Sequence, residues 1–155
     1  MKKTLFLLIV LVSSIGTLQA AEDTITKNEI RAFFDDLVLK FNNRDVDGYE
    51  AIFMIPHARH ITKEVTIVTD QSTPLVNFDR LSDLGWQKSI LRKLHLFYSS
   101  STKAFVNVDW SRLNRNGATL QDFTAFYTLT KFDGNLKITY IAATDTPLTI
   151  GIDEN

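Results

Sequence analysis

Residues 26–41 carry the pattern that most restricts how this chain can fold. Ile30, Phe33, Phe34, Leu37, Val38 and Phe41 recur at helical spacing, while Arg31, Asp35, Asp36 and Lys40 take the other side. Thr26-Lys27-Asn28-Glu29 precedes them as a capping box, in which hydroxyl and carboxylate each satisfy the other residue's backbone amide. Burial of such apolar side chains is worth about 1.5–3 kcal/mol each. A stripe this wide therefore needs a broad apolar partner, and a sheet provides one.

The rest of the chain supplies the strands. Asn42-Asn43 ends the first helix, and Asp45 caps a second, shorter one through Tyr49, Ile52 and Phe53 that Pro56 stops. Val65, Ile67 and Thr69 alternate with Glu64, Thr66 and Val68 as a hairpin arm. Asn77–Leu84 forms a short helix with Gly85 as its cap. Long strands follow over 86–98, 104–113, 120–131 and 136–143. Asn116-Gly117 and Asp133-Gly134 between alternating apolar runs are strong hairpin signals. The expected class is α+β: N-terminal helices packed in a strongly curved antiparallel sheet, a cystatin-like cone or α+β barrel.

The first twenty residues stand apart. Lys2 and Lys3 precede eight consecutive apolar residues, Leu5–Val12, and small residues end at Ala20-Ala21. This is the order of a secretory signal peptide cleaved after Ala20. The apolar run is too short to cross a bilayer, which takes about 20 residues of helix. The expected location is periplasmic or secreted, with a single domain over 21–155 and its core at about 26–144. Removing residues 1–20 takes away two lysines and no acid, leaving fifteen basic against eighteen acidic side chains, a net charge of −3. A weakly acidic chain without a basic run has no footprint for nucleic acid. The absence of cysteine excludes disulfides, thiolate catalysis and cysteine metal sites. There is no glycine-rich phosphate loop, dinucleotide fingerprint or nucleophile elbow, so no cofactor is expected.

Several strings carry a family resemblance: Asn43-Arg44-Asp45-Val46-Asp47 between the helices, Phe53 to Pro56 before the first strand, and Val108-Asp109-Trp110-Ser111-Arg112. Phe126-Tyr127-Thr128-Leu129 and Asp133-Gly134-Asn135-Leu136-Lys137-Ile138 complete the set. With the order of elements, these make residues 26–144 resemble the nuclear transport factor 2-like superfamily, which includes SnoaL-like cyclases and ketosteroid isomerases. The resemblance implies the cone fold and a cavity at its mouth. It also implies homodimers paired through the outer sheet face. It does not extend to isomerase chemistry. Isomerase-type members keep an acidic base on the first strand, and the stretch 51–63 has no carboxylate. They keep a tyrosine in the first helix, and here Phe33, Phe34, Leu37 and Phe41 stand instead.

Strand alternation sorts the remaining candidates. Ala104, Val106, Val108, Trp110 and Arg112 share one face with Phe123, Ala125, Tyr127 and Leu129, and with Leu136, Ile138, Tyr140 and Ala142. This more apolar set is assigned to the concave face. Phe105, Asn107, Asp109, Thr124, Phe126, Thr128 and Ile141 fall outside, and a bulge would reverse the assignment beyond it. Arg112 is the odd residue of its row. It either holds a ligand carboxylate in bidentate fashion or runs to solvent over Trp110. Tyr127 and Tyr140 offer hydrogen-bond donors. His57 and Arg59 share a face and either bind an anion or form a polar rim, whereas His57 and His60 diverge and make no metal site. Trp86 is core or cavity wall, and Tyr49 closes the mouth or packs the second helix.

Three functional classes follow. The first is an exported binding domain for a small apolar or anionic ligand, with a cavity of Tyr49, His57, Arg59, Trp86, Trp110, Arg112, Tyr127 and Tyr140. The second is a SnoaL-like acid/base enzyme (isomerase, cyclase or dehydratase type) using His57 and Asp109. The third is a ligand-free module dimerising through Phe105, Phe126 and Ile141.

Overall fold

The computed structural model describes residues 23–61, 63–72 and 74–143. The signal sequence expected over 1–20 and the tail after Thr144 lie outside these. The capping box forms as the spacing predicts: Glu29 N donates to Thr26 Oγ1 at 3.2 Å, and Thr26 N donates to Glu29 Oε2 at 2.7 Å. It opens helix α1, Lys27–Asn42, which buries Ile30, Phe34, Leu37 and Phe41. Phe33 and Val38 are partly buried at the edge of the same stripe. Helix α2, Val46–Glu50, is capped by Asp45 through Gly48 N at 2.9 Å.

Pro56 does not end that helix. Strand β1, Phe53–His60, starts before the proline and contains it, so Ile52 and Phe53 leave the helix earlier than the apolar spacing predicts. The register of β1 against its neighbour shifts between Phe53 and Ala58, the irregular stretch that holds the proline. Strand β2, Thr66–Val68, folds back on β1, and helix α3, Phe78–Asp83, follows. The meander is β3, Trp86–Ser99; β4, Lys103–Asn114; β5, Thr119–Phe132; and β6, Asn135–Ala143. At the last hairpin Asp133 and Gly134 both take positive φ, 47° and 78°, as a primed two-residue turn requires.

The sheet order is β2-β1-β6-β5-β4-β3. Its neighbours run antiparallel except β1 and β6, which are parallel, so the sheet is mixed. The concave side receives α1. Phe34 sits with its ring centroid 5.0 Å from Tyr127 and 6.4 Å from Trp110. Further along α1, Phe41 packs on Tyr49, Phe78 and Trp86 at 5.3, 5.1 and 5.4 Å.

One bulge changes the face assignment. Thr128 pairs with Tyr140, but Leu129 pairs with Ile138, which leaves an extra residue in β6. Beyond it the parity reverses. Ile141, expected outside, is buried at 4% exposure, and Ala143 turns inward with it to line the cavity described below. Tyr140, expected inside, lies against Phe126 on the outer face, with centroids 6.4 Å apart.

Phe34 is fully buried at the meeting point of helix and sheet. Phe34→Ala is expected to cost about 3–5 kcal/mol in urea unfolding, against about 1 kcal/mol for Thr26→Ala at the exposed cap. Equal losses would show that α1 is not held by its aromatic stripe.

Candidate ligand-binding cavity

Beneath the C-terminal half of α1 the helix and sheet do not close on each other. Leu37, Val38 and Phe41 form the roof. Trp110, Phe123, Ala125 and Ile141 form the apolar floor, and Tyr49 and Ile61 stand at the side. The space amounts to about 480 Å³ counted out to its open mouth. The end of α1 is fixed to the sheet beside it. Asn42 Nδ2 donates to Ser89 O at 2.9 Å, and Ser89 N donates to Asn42 Oδ1 at 2.7 Å.

Polar groups enter this apolar wall at a few points. Arg112, at 1% exposure, lies opposite Ser89 in register, and its guanidinium carbon stands 5.2 Å from the centroid of the Phe123 ring. Burial lowers its pKa to about 10, with Tyr49 and Tyr127 acting the other way, so it remains charged at neutral pH. Burial raises the Tyr127 and Tyr49 hydroxyls well above the usual tyrosine value, so both stay protonated. The Trp110 indole N–H lies toward Tyr127 and is buried without a well-formed hydrogen bond. No wall residue among those described is acidic.

Arg59 and His57 lie on β1, the strand next to β6, and are not part of the cavity lining. Arg59 is 4% exposed and pairs in register with Ile141, and one guanidinium N–H reaches Leu75 O at 3.3 Å. Its Nε has no hydrogen-bond partner. Burial lowers its pKa, and the fields of Tyr49, Tyr127 and Glu50 oppose that shift. Glu50 itself accepts from Leu75 N at 2.9 Å, so Arg59 and α2 hold the same loop residue. His57 is 2% exposed, packed on Phe53 with centroids 4.8 Å apart. Its Nδ1 lies 2.8 Å from Met54 O, which assigns the proton to Nδ1 and leaves Nε2 a buried, unpartnered acceptor. Burial lowers its pKa, against the Met54 carbonyl and with Arg59, so the ring is neutral at pH 7.

The eight cavity residues read from sequence thus divide. Tyr49, Trp110, Arg112 and Tyr127 line one cavity. His57 and Arg59 sit on the neighbouring strand β1, outside the lining. Trp86 belongs to the core, donating to Ser89 Oγ at 3.1 Å and packed between Phe41 and Phe78. Tyr140 is on the other side of the sheet. Asp109 is also on the outer face, accepting from Thr124 Oγ1 at 2.7 Å, with β6 and β5 between its strand and that of His57. A His57–Asp109 acid/base pair therefore does not form. Ser89, Phe123 and the Asn42 tie escaped sequence reading. Ser89 had one available signal, its place opposite Arg112 on a neighbouring strand.

The outer face carries its own feature. Phe97 and Tyr98, 56% and 52% exposed, continue through Phe105 and Phe126 to Tyr140 as a connected row of rings.

The sequence profile of a family described as NTF2-like protein (DUF6841) matches residues 28–146. No curated protein matches the chain in sequence. Among solved structures, a protein of unknown function with a cystatin-like fold from Nostoc punctiforme is similar, with a TM-score of 0.61 at 15% identity, over 79% of this chain and 95% of its own. An NTF-2 like protein of unknown function from Shewanella oneidensis aligns with a TM-score of 0.56 at 13% identity, over 76% and 98%. Aln2 from a Streptomyces species does so with a TM-score of 0.56 at 13% identity, over 75% and 87%. At these identities the likeness is one of fold.

His57 yields a test in pH. Above its unfolded value of 6.5 the ring is neutral in both states and contributes no slope. As pH falls below 6.5 the unfolded chain takes up a proton that the folded chain refuses until its own lower pKa is reached. Stability should fall through that window by at most about 1.4 kcal/mol per pH unit. Urea unfolding between pH 7 and 5 should show this loss, and His57→Gln should flatten it. An unchanged slope in the variant would mean that His57 is not held neutral.

Proposed function

The chain belongs to the NTF2-like family DUF6841, and we propose that it is a small-molecule-binding domain whose ligand has an apolar body and an anionic end. The observation that carries the reading is the composition of the cavity wall. Apolar surface surrounds Arg112, Tyr49 and Tyr127, and no carboxylate or imidazole among the described residues shares the wall. That is a set of binding determinants without a general base. An acid/base enzyme needs a proton acceptor within hydrogen-bond reach of its substrate. The two groups first considered for it lie on opposite faces of the sheet.

In this reading residues 1–20 direct export, and the domain binds its ligand in the periplasm or outside the cell. Native mass spectrometry of protein recovered from the exported fraction should find a chain lacking residues 1–20 with a small adduct lost on denaturation. Val38→Trp, which fills the cavity from the roof, should lose the adduct at a stability cost of about 1–3 kcal/mol. An adduct retained in Val38→Trp would place the ligand elsewhere.

The outer aromatic row supports a second element, pairing of two copies face to face. An exposed row of rings is costly in a monomer and typical of an interface. In such a pairing Phe105 and Phe126 would share the face with Phe97, Tyr98 and Tyr140, while Ile141 is buried on the other side. Sedimentation should give a dimer that Phe126→Asp converts to monomer. A wild-type monomer at high concentration would contradict the pairing.

A further inference from the structure

Strands β5 and β6 do not end level. β5 begins at Thr119, whereas β6 runs to Ala143, which pairs with Ala125. Residues 119–124 of β5 therefore extend past the last described residue of β6. β4 pairs along the other side of this stretch, from Asp109 opposite Thr124 to Leu113 opposite Thr119. The stretch borders the cavity mouth. Phe123 lines the cavity, and so does Ala143, from which the chain continues. Arg112, Gln121 and Thr124 along it are engaged rather than free.

The register says which residues come next. From Thr128 opposite Tyr140 to Ala125 opposite Ala143, each step back along β5 is one step forward along β6. Carried on, it sets Thr144 opposite Thr124, Asp145 opposite Phe123 and Thr146 opposite Asp122. The residue types suit these places. Thr144 and Thr146 are β-branched, and alternation turns them outward, where Thr124 and Asp122 offer a hydroxyl and a carboxylate across the strand. Pro147 has no N–H to carry a ladder further. The family profile also runs past Ala143 and stops at residue 146. Ala143 faces inward, so Asp145, two residues on, falls on the cavity side. A slip of one residue would reverse all three.

We infer that residues 144–146 add to the edge of β5 as a continuation of β6 and set the Asp145 carboxylate at the cavity mouth, on the side lined by Arg112. The chain's own segment is the occupant because it leaves β6 already in register and needs no loop to close. Nothing in the placement requires a free donor on Arg112, since a carboxylate near a guanidinium lies in a favourable field without a direct bond. The placement goes beyond the ligand-binding reading and does not depend on it. It puts an acid at the entrance that any ligand must pass.

The chain has no cysteine, so introduced pairs report geometry without background. Residues directly opposite in an antiparallel pair have Cα atoms about 4.5–5.5 Å apart, within disulfide range. Mature protein with Asp122→Cys and Thr146→Cys should form an intramolecular disulfide under mild oxidation. Asp122→Cys with Asp145→Cys, which turns the two thiols to opposite faces, should not. No bond in the first pair, or equal bonding in both, overturns the register. A bond between two molecules in the first pair assigns the edge to a second copy and also overturns the proposal. Hydrogen exchange supplies a second measurement. Amides in 119–124 should exchange at least about tenfold faster in a chain ended after Ala143 than in the mature chain. Equal rates overturn the added strand, and if the shortened chain does not fold, the cysteine pairs decide. Asp145→Asn should lower Tm at pH 7 by more than Asp153→Asn does. Equal effects would remove Asp145 from the cavity side.

Discussion

The ring of Phe34, 5.0 Å from Tyr127 and 6.4 Å from Trp110, is where α1 and the sheet hold each other. Trp110 and Tyr127 are also cavity wall, so the contact that stabilises the fold sets the position of the groups beside the space. The helix is anchored twice more. Its first turn is closed by the capping box, with Glu29 also bridging to Lys131 at 3.3 Å. Its last turn is tied to β3 by the paired Asn42–Ser89 bonds. Between these anchors the roof cannot drop further onto the sheet. A hollow therefore persists where the small side chain of Ala125 lies under Leu37 and Val38.

The polar residues of this region work against stability. Burying a guanidinium costs hydration that its neighbours must return. An unpartnered buried nitrogen, as at His57 Nε2 and Arg59 Nε, loses a hydrogen bond to water outright. A chain selected for stability alone would place apolar side chains of similar volume there. Arg59 has a partial structural reason, because with Glu50 it pins Leu75 and the loop between β2 and α3. Arg112 lies on the cavity wall itself, with its guanidinium carbon over the Phe123 ring.

The architecture was legible because its signals are local. Capping box, helical stripe and glycine turns each occupy a few consecutive residues, and each formed where its chemistry predicts. The cavity was legible only in part because it depends on pairings between distant residues. Arg112 and Trp110 stood out by breaking or ending an apolar row. Ser89 acquires its role from facing Arg112 across two strands, and Asn42 from reaching the backbone of Ser89, neither of which has a local signature. The helix-to-strand change at Phe53 was misplaced for the opposite reason. A proline looks like a stop, but at an irregular place in a strand it is tolerated, and tertiary packing of Phe53 on Tyr49, 5.4 Å between centroids, decides the boundary.

The bulge in β6 carries the largest consequence of any single residue. Without it, strict alternation would turn Tyr140 into the cavity and Ile141 out to solvent. Tyr140 would bring a phenol and a large ring into the space beneath α1, which the protein itself would then help to fill. The extra residue instead sends Ile141 and Ala143 inward, which keeps the floor apolar and the space open. The same step sends Tyr140 outward to complete the aromatic row with Phe126. Interior cavity and exterior surface are thus coupled through one backbone irregularity. A change that removed the bulge would close the one and shorten the other together, so the two faces of this sheet cannot vary independently at β6.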